Sequence, residues 1–337
     1  MLRRSLTLLN LLILSLAARA QSERHFTFHY AFTVKNVPAG QPVRIWFPLA
    51  HPDAYQSVTI LAKDGDLKLR QTEDSEYGNA ILFAEDAKSA RSDYKFTVDY
   101  DVVRREHVTL IKGKLAPGTR PEKVPQLNLA RYLEPDQLVP VTGLPAQLAV
   151  EQTKSANTQL EKARAIYDYV FATIRYDKSG TGWGHGDTLW ACDSKRGNCT
   201  DFHSVFMSMA RSQHIPARFE IGFPLPTDEH SADIPGYHCW AEFYLDQTGW
   251  VPVDISEAWK HQEKRDYFFG AHDVNRIQFS TGRDLRLSPA QAGLPLNYFV
   301  YPYVEVNGKE YPNVSIDFSF RDADVPAPTS TPATASH

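Results

Sequence analysis

Arg196-Gly197-Asn198-Cys199-Thr200-Asp201-Phe202-His203 is the stretch best suited to chemistry. Phe202, Val205, Phe206 and Met209 follow at i, i+3, i+4 and i+7, the spacing of one buried helical face. Gly197 and Asn198 are turn and cap residues, which places Cys199 in the first turn of that helix. The free N–H groups and positive dipole end there favour a thiolate, the form through which cysteine acts as a nucleophile. Asp201 reads as a first-turn carboxylate whose charge opposes the thiolate, so the helix end alone does not make the site. A base and an orienting acid must come from elsewhere in the chain.

Tyr237 to Leu245 reads as a strand, Asp246-Gln247-Thr248-Gly249 as its turn, and Trp250 to Ile255 as the returning strand. His238, Trp240, Glu242 and Tyr244 share one face, while Cys239, Ala241, Phe243 and Leu245 share the other, the expected core face. This parity makes His238 the functional residue and Cys239 a buried structural thiol. For Asp254 to join the His238 face, even positions must pair with even positions. That requires a hairpin loop of odd length, such as a type I turn with Gly249 in a left-handed bulge. Pairing Leu245 with Trp250 would put Asp254 on the wrong face.

Four ordered motifs now stand out. They are Gly-Asn-Cys199-Thr-Asp201-Phe, Ile215-Pro216-Ala217-Arg218, His238-Cys-Trp240-Ala-Glu242 and Gly249-Trp250-Val-Pro-Val-Asp254. Over about residues 155 to 260 the chain resembles the transglutaminase-like superfamily, and more narrowly its exported bacterial members. The resemblance implies a papain-like α+β core, with a Cys-bearing helix packed on an antiparallel sheet. It also implies Cys199 as nucleophile, His238 as general base and acid, and Asp254 as orienting carboxylate. Cys239 departs from the small residues common after that His. No motif fixes the oxyanion donor. Trp183, Tyr176 and the Cys199 backbone N–H are candidates, with Trp240 and Glu242 as further substrate-lining residues. Glu242 could also serve in a structural salt bridge.

The elements that must position these residues are also legible. From Phe26 to Val34, apolar and polar residues alternate, and further short strands are expected at 43–47, 58–61, 66–69, 80–83 and 94–102. Residues 21–112 thus form an antiparallel β-sandwich. Residues 113–150, rich in proline, read as an ordered connector with a helical turn near Leu129 to Leu133. A helix opens at Asn157 or Thr158 and ends at Arg175-Tyr176-Asp177. Its apolar face is Leu160, Ala163, Tyr167, Val170, Phe171 and Ile174. The Gly180 to Asp187 loop, with glycine at every second position, lacks any phosphate-loop pattern and is expected at the rim of the site. The catalytic domain is expected to span 151–321, with the strands at 298–306 and 314–320 extending its sheet around an Asn307-Gly308 turn. Residues 322–337 read as a disordered tail.

Residues 1–20 have the Arg3-Arg4, apolar and Ala18-Arg19-Ala20 pattern of a cleaved signal peptide. Their apolar run is short for a bilayer span, so the mature chain is expected in the periplasm or secreted, without stable membrane insertion. Losing three arginines with the leader takes the net charge from −4 to −7, which argues against nucleic-acid binding. The three cysteines, Cys192, Cys199 and Cys239, leave at least one thiol unpaired within an oxidising compartment. A Cys192–Cys239 bridge would spare the nucleophile and a Cys192–Cys199 bridge would block it.

Cys199 and His203 supply two soft ligands where a metal needs three or four, so neither metal nor cofactor is expected. His185 and His230 sit in polar loops. Asn198-Cys-Thr200 and Asn313-Val-Ser315 match glycosylation sequons, and the first reads as coincidence because a glycan at Asn198 would crowd the thiol. The reading is a Cys-His-Asp enzyme cleaving amide bonds through a thioester, as peptidase or amidase rather than crosslinker. Its expected substrate is a protein, a peptide or a cell-wall peptide. The alternative is a catalytically silent binding or scaffold module of the same fold.

Overall fold

The computed structural model describes residues 22–119 and 126–323; the expected signal peptide and nearly all of the expected tail lie outside these residues. The N-terminal alternation becomes β1 (Glu23–Val34), β2 (Val43–Pro48), β3 (Gln56–Gly65), β4 (Arg70–Glu73), β5 (Ala80–Asp86) and β6 (Tyr94–Arg105). A short β7 (His107–Val108) leads out of them. The strand expected at 66–69 forms instead at β4, and β3 runs past its expected end.

The helices are α1 (Leu144–Thr153), α2 (Gln159–Thr173), α3 (Thr188–Ser194), α4 (Cys199–Ser212) and α5 (Ile255–Lys260). The α2 start is held by a capping box between Thr158 and Glu161, and the helical turn at 130–133 forms as expected. α1 lies in the stretch read as connector. Its weak amphipathic pattern buries only Pro145, Ala149 and Thr153, so periodicity gave no warning of it.

The second half of the chain supplies β8 (Ala217–Pro224), β9 (Ser231–Asp233), β10 (His238–Leu245), β11 (Gly249–Val253), β12 (Ala271–His272) and β13 (Arg276–Thr281). It closes with β14 (Tyr303–Val306), β15 (Lys309–Glu310) and β16 (Val314–Asp322). A four-stranded central sheet has the order β11-β10-β8-β13, with α4 packed on it through contacts such as Phe206 with Phe243. This is an α+β core, a helix packed on an antiparallel sheet, joined to an antiparallel sandwich.

One expectation is corrected by strand pairing. β14 and β16 do not extend the central sheet. β16 pairs with β1 from Val34–Val314 to Phe26–Asp322, and β14 pairs with β2. The sandwich sheets are therefore five-stranded, β9-β16-β1-β6-β3 and β15-β14-β2-β5-β4, and the strands placed in a 151–321 catalytic domain complete them. Alternation shows that a strand has one buried face but not which edge it will join. Aromatic rings link sandwich and central sheet: Tyr30 packs on Phe279 at 5.4 Å and Phe28 on Phe223 at 5.3 Å.

Candidate active site

Cys199 is the first residue of α4, and local chemistry holds it there. The Asn198 side chain accepts the Thr200 N–H at 2.9 Å, and Asp201 Oδ2 accepts the Asn198 N–H at 2.9 Å, a reciprocal cap of the helix start. Gly197 sits at φ 154°, and a Cβ there would lie 2.3 Å from Asp201 Oδ2, so the cap requires glycine before it. Asp201 also accepts the N–H groups of Gly184 and Gly186 at 2.7 and 3.0 Å, which seats the glycine loop against the helix start as expected. Arg283 clamps the loop from the other side through the carbonyls of Gly186 and His185.

The hairpin has the register that the parity argument required. Tyr244 pairs with Trp250 and Glu242 with Pro252, even with even, around the three-residue loop 246–248. Gly249 takes φ 79°, the left-handed position. Asp254 follows β11 directly and caps α5, where its Oδ1 accepts the Glu257 N–H and the Ser256 hydroxyl, each at 3.1 Å. Its other oxygen, Oδ2, accepts His238 Nε2–H at 2.7 Å and Arg276 Nη1–H at 2.9 Å. With Nε2 committed to Asp254, Nδ1 is the ring nitrogen of His238 left to serve the Cys199 thiol, whose acidity His238 increases.

Electrostatics follow from that geometry. Burial alone would raise the Cys199 thiol; hydrogen bonds with Cys239 and His238, and the His238 charge, reverse this and hold it well below the ordinary thiol range. A helix start contributes roughly 0.3–1 kcal/mol, less than about a tenfold change in acidity. It cannot offset burial, so the Cys239 thiol and the His238 imidazolium must carry the effect. Burial likewise opposes charge on His238, but the Asp254 carboxylate and the thiolate raise it to about 10. Asp254 itself is held well below the carboxylate range, against burial, by His238 and Arg276. These shifts favour a thiolate–imidazolium pair anchored on a carboxylate.

Several candidates fall elsewhere than expected. Cys239 is buried on the core face, as its parity implies, yet it is no bystander: it lies 3.7 Å from Thr200 Oγ1 and 3.9 Å from His203 Nδ1, and it acts on the acidity of Cys199. Burial and the neighbouring thiolate keep it a neutral thiol. All three cysteines are free.

Trp240 and Glu242 do not line an opening. His107, His272 and Arg276 cover their face of β10, leaving them 1% and 5% exposed. Glu242 takes the salt-bridge role, accepting from Arg218 Nε and Nη2 at 2.9 and 2.6 Å. The Trp183 indole N–H is spent on the Gly180 carbonyl. Tyr176 stays beside the thiol, since residues 175–176 pair with 196–197 and its phenol is raised by burial and by the Cys199 charge. His203 is a satisfied core histidine whose Nε2 accepts the Ile255 N–H at 3.1 Å. His185 and His230 are exposed.

Two neighbours had no signal in the sequence. Arg276 stands on a separate strand with no motif around it. Tyr237 donates to or accepts from Thr200 at 2.8 Å and accepts from Asn198 at 3.0 Å, bracing the helix start. Adjacency to His238 was its only mark.

A buried Cys-His-Asp chain on a helix start and an antiparallel hairpin defines the class of site. A family model, the transglutaminase-like superfamily, matches residues 146–255. An uncharacterised protein of Haemophilus influenzae is 30% identical over 318 residues, covering 84% of this chain and 85% of its own. Bacillus subtilis YebA, also uncharacterised, is 24% identical over 121 residues, 32% of this chain and 16% of YebA. Among solved structures, a cysteine protease candidate from Cytophaga hutchinsonii superposes with a TM-score of 0.59 at 16% identity, covering 91% of this chain and 94% of that one. The chain belongs to the transglutaminase-like superfamily.

Proposed function

We propose that this protein is an exported, cysteine-dependent acyl-transfer enzyme that hydrolyses amide bonds of a protein, peptide or cell-wall peptide. The observation that carries the reading is the continuous chain from Cys199 through His238 to Asp254, completed by Arg276. The Cys199 thiolate attacks the amide carbonyl carbon. The developing oxyanion is met by the Cys199 backbone N–H at the helix start, with the Tyr176 phenol as a second donor. His238 gives its proton to the departing amine, which leaves a thioester on Cys199. His238 then takes a proton from water as the oxygen adds to the thioester, and collapse returns the thiolate and releases the acid. Asp254 holds the ring orientation throughout and stabilises the imidazolium.

Hydrolysis is favoured over crosslinking because water is present at every encounter, whereas an amine must be bound to compete. Export rests on the signal-peptide pattern of residues 1–20. Among the described residues, no helix is long and apolar enough to cross a membrane. The test incubates wild type and Cys199→Ala with peptide and peptidoglycan-type substrates, with and without an added amine. Product formed by wild type alone supports the reading. Equal product from both refutes the nucleophile, and amide formation with the added amine in preference to acid overturns hydrolysis.

A further inference from the structure

The layer that covers the Trp240 and Glu242 face of β10 contains a second cluster, which shares no residue with the Cys199–His238–Asp254 chain. His107 on β7, Glu242 on β10 and His272 on β12 come from three separate parts of the chain. One ligand atom of each lies within 4.8 Å of those of the other two. All three are buried: His107 4% exposed, Glu242 5% and His272 0%. His107 and His272 face one another across paired strands, their rings edge to face at 6.1 Å. Tyr55 stacks on His107 at 3.6 Å and Trp240 stands edge-on to His272 at 5.5 Å, so neither ring is free to turn away.

The hydrogen bonds leave one member of this cluster without a partner. His107 Nε2 lies 3.0 Å from the Thr109 hydroxyl and His107 Nδ1 lies 3.4 Å from Glu242 Oε1, while the other Glu242 oxygen is taken by Arg218. Beside them, both ring nitrogens of His272 are buried without a hydrogen-bond partner. Buried polar groups are rarely left unpaired. A cation held between the three side chains would supply His272 with the partner it lacks.

We propose that His107, Glu242 and His272 bind one divalent cation of the zinc class, tying β7 and β12 to β10. Two imidazoles and one carboxylate form a donor set that zinc and its first-row neighbours accept. Ligand bonds of about 2.0–2.1 Å in a tetrahedron put neighbouring donor atoms roughly 3.4 Å apart, which is the Nδ1–Oε1 separation found here. The nearby arginines do not repel the ion unopposed, because each has its own carboxylate: Arg104 with Asp53, Arg276 with Asp254, and Arg218 with Glu220 as well as Glu242. The site is closed to substrate, so the ion would be structural. It stands apart from the triad, so its failure would leave the proposed reaction untouched.

The test uses the full chain carrying Cys199→Ala, stripped with a chelator and titrated with zinc(II) or cobalt(II) chloride. The expected result is one ion per chain, with cobalt ligand-field bands of a nitrogen–oxygen site and no intense sulfur charge-transfer band. Adding His272→Ala should weaken binding by at least about a hundredfold, beyond what loss of a supporting contact costs. Absence of tight binding, a sulfur band, or affinity unchanged by His272→Ala would each overturn the proposal. If the double variant fails to fold, the cobalt spectrum of its parent still decides, because it reads ligand type with the cluster intact.

Discussion

Arg276 and His238 donate to the same oxygen of Asp254, Oδ2, at 2.9 and 2.7 Å. The carboxylate charge is thereby shared between a permanent cation and an imidazolium. Arg276→Ala would leave Asp254 buried with one partner fewer. Loss of one member of a buried ion pair costs about 3–5 kcal/mol. The urea midpoint should fall accordingly, and turnover should fall with it as the His238 ring loses its fixed anchor. A variant with an unchanged midpoint would show that Arg276 is dispensable to the site.

The thiolate–imidazolium pair sets the pH dependence. Cys199 is held well below the ordinary thiol value, and His238 is raised to about 10. Iodoacetamide should therefore alkylate Cys199 well below pH ~8.5, the unperturbed value. His238→Gln should slow alkylation at pH 6.5 by up to about a hundredfold, as the thiol returns toward that value. Turnover should decline as pH rises through about 10, where the proton needed by the leaving amine is lost. The His238 contribution to stability has the same sign. It is full below the unfolded value near 6.5 and is lost as pH rises through the folded value of about 10.

Cys239 helps to hold the thiolate by hydrogen bonding to it. Cys239→Ala should move the onset of Cys199 alkylation to higher pH, whereas Cys239→Ser, which keeps a donor, should restore it. A hydrogen bond to a charged group contributes roughly 1.5–3 kcal/mol, enough for the displacement to be read in a pH series. Identical profiles for Ala and wild type would reduce Cys239 to a packing residue.

Gly197→Ala should be costly despite its small size. The new Cβ would meet Asp201 Oδ2 at 2.3 Å, in a backbone conformation disfavoured for alanine. Displacing Asp201 opens the cap of α4 and releases the loop at Gly184 and Gly186. Cap loss and backbone strain together come to about 2–4 kcal/mol. Thermal unfolding would register the loss, and weaker alkylation at neutral pH would show that the helix start moved with it.

Much of the candidate site was legible because its determinants are local. A cap before an amphipathic run places Cys199 on a helix start, and a loop of odd length places Asp254 on the His238 face. The sandwich was legible only in part. Alternation reveals β1, β2, β5 and β6 and places β3 and β4 only approximately, but β14 and β16 join them from the far end of the chain, and nothing in their pattern names the edge they complete. Trp240 and Glu242 show the same limit in the site itself. Parity put them on one face with His238, but whether that face met solvent depended on β7, β12 and β13.

By itself, the sequence placed the candidate thiol, histidine and carboxylate on their elements, because each position is set by caps, turns and side-chain alternation within a few residues. Tertiary structure alone decided the partners drawn from distant strands. These are Arg276 on Asp254, Cys239 against Cys199, and His107 and His272 over Glu242. Such contacts depend on which sheet edges meet and which faces are covered, and the chain settles those only when the whole core closes.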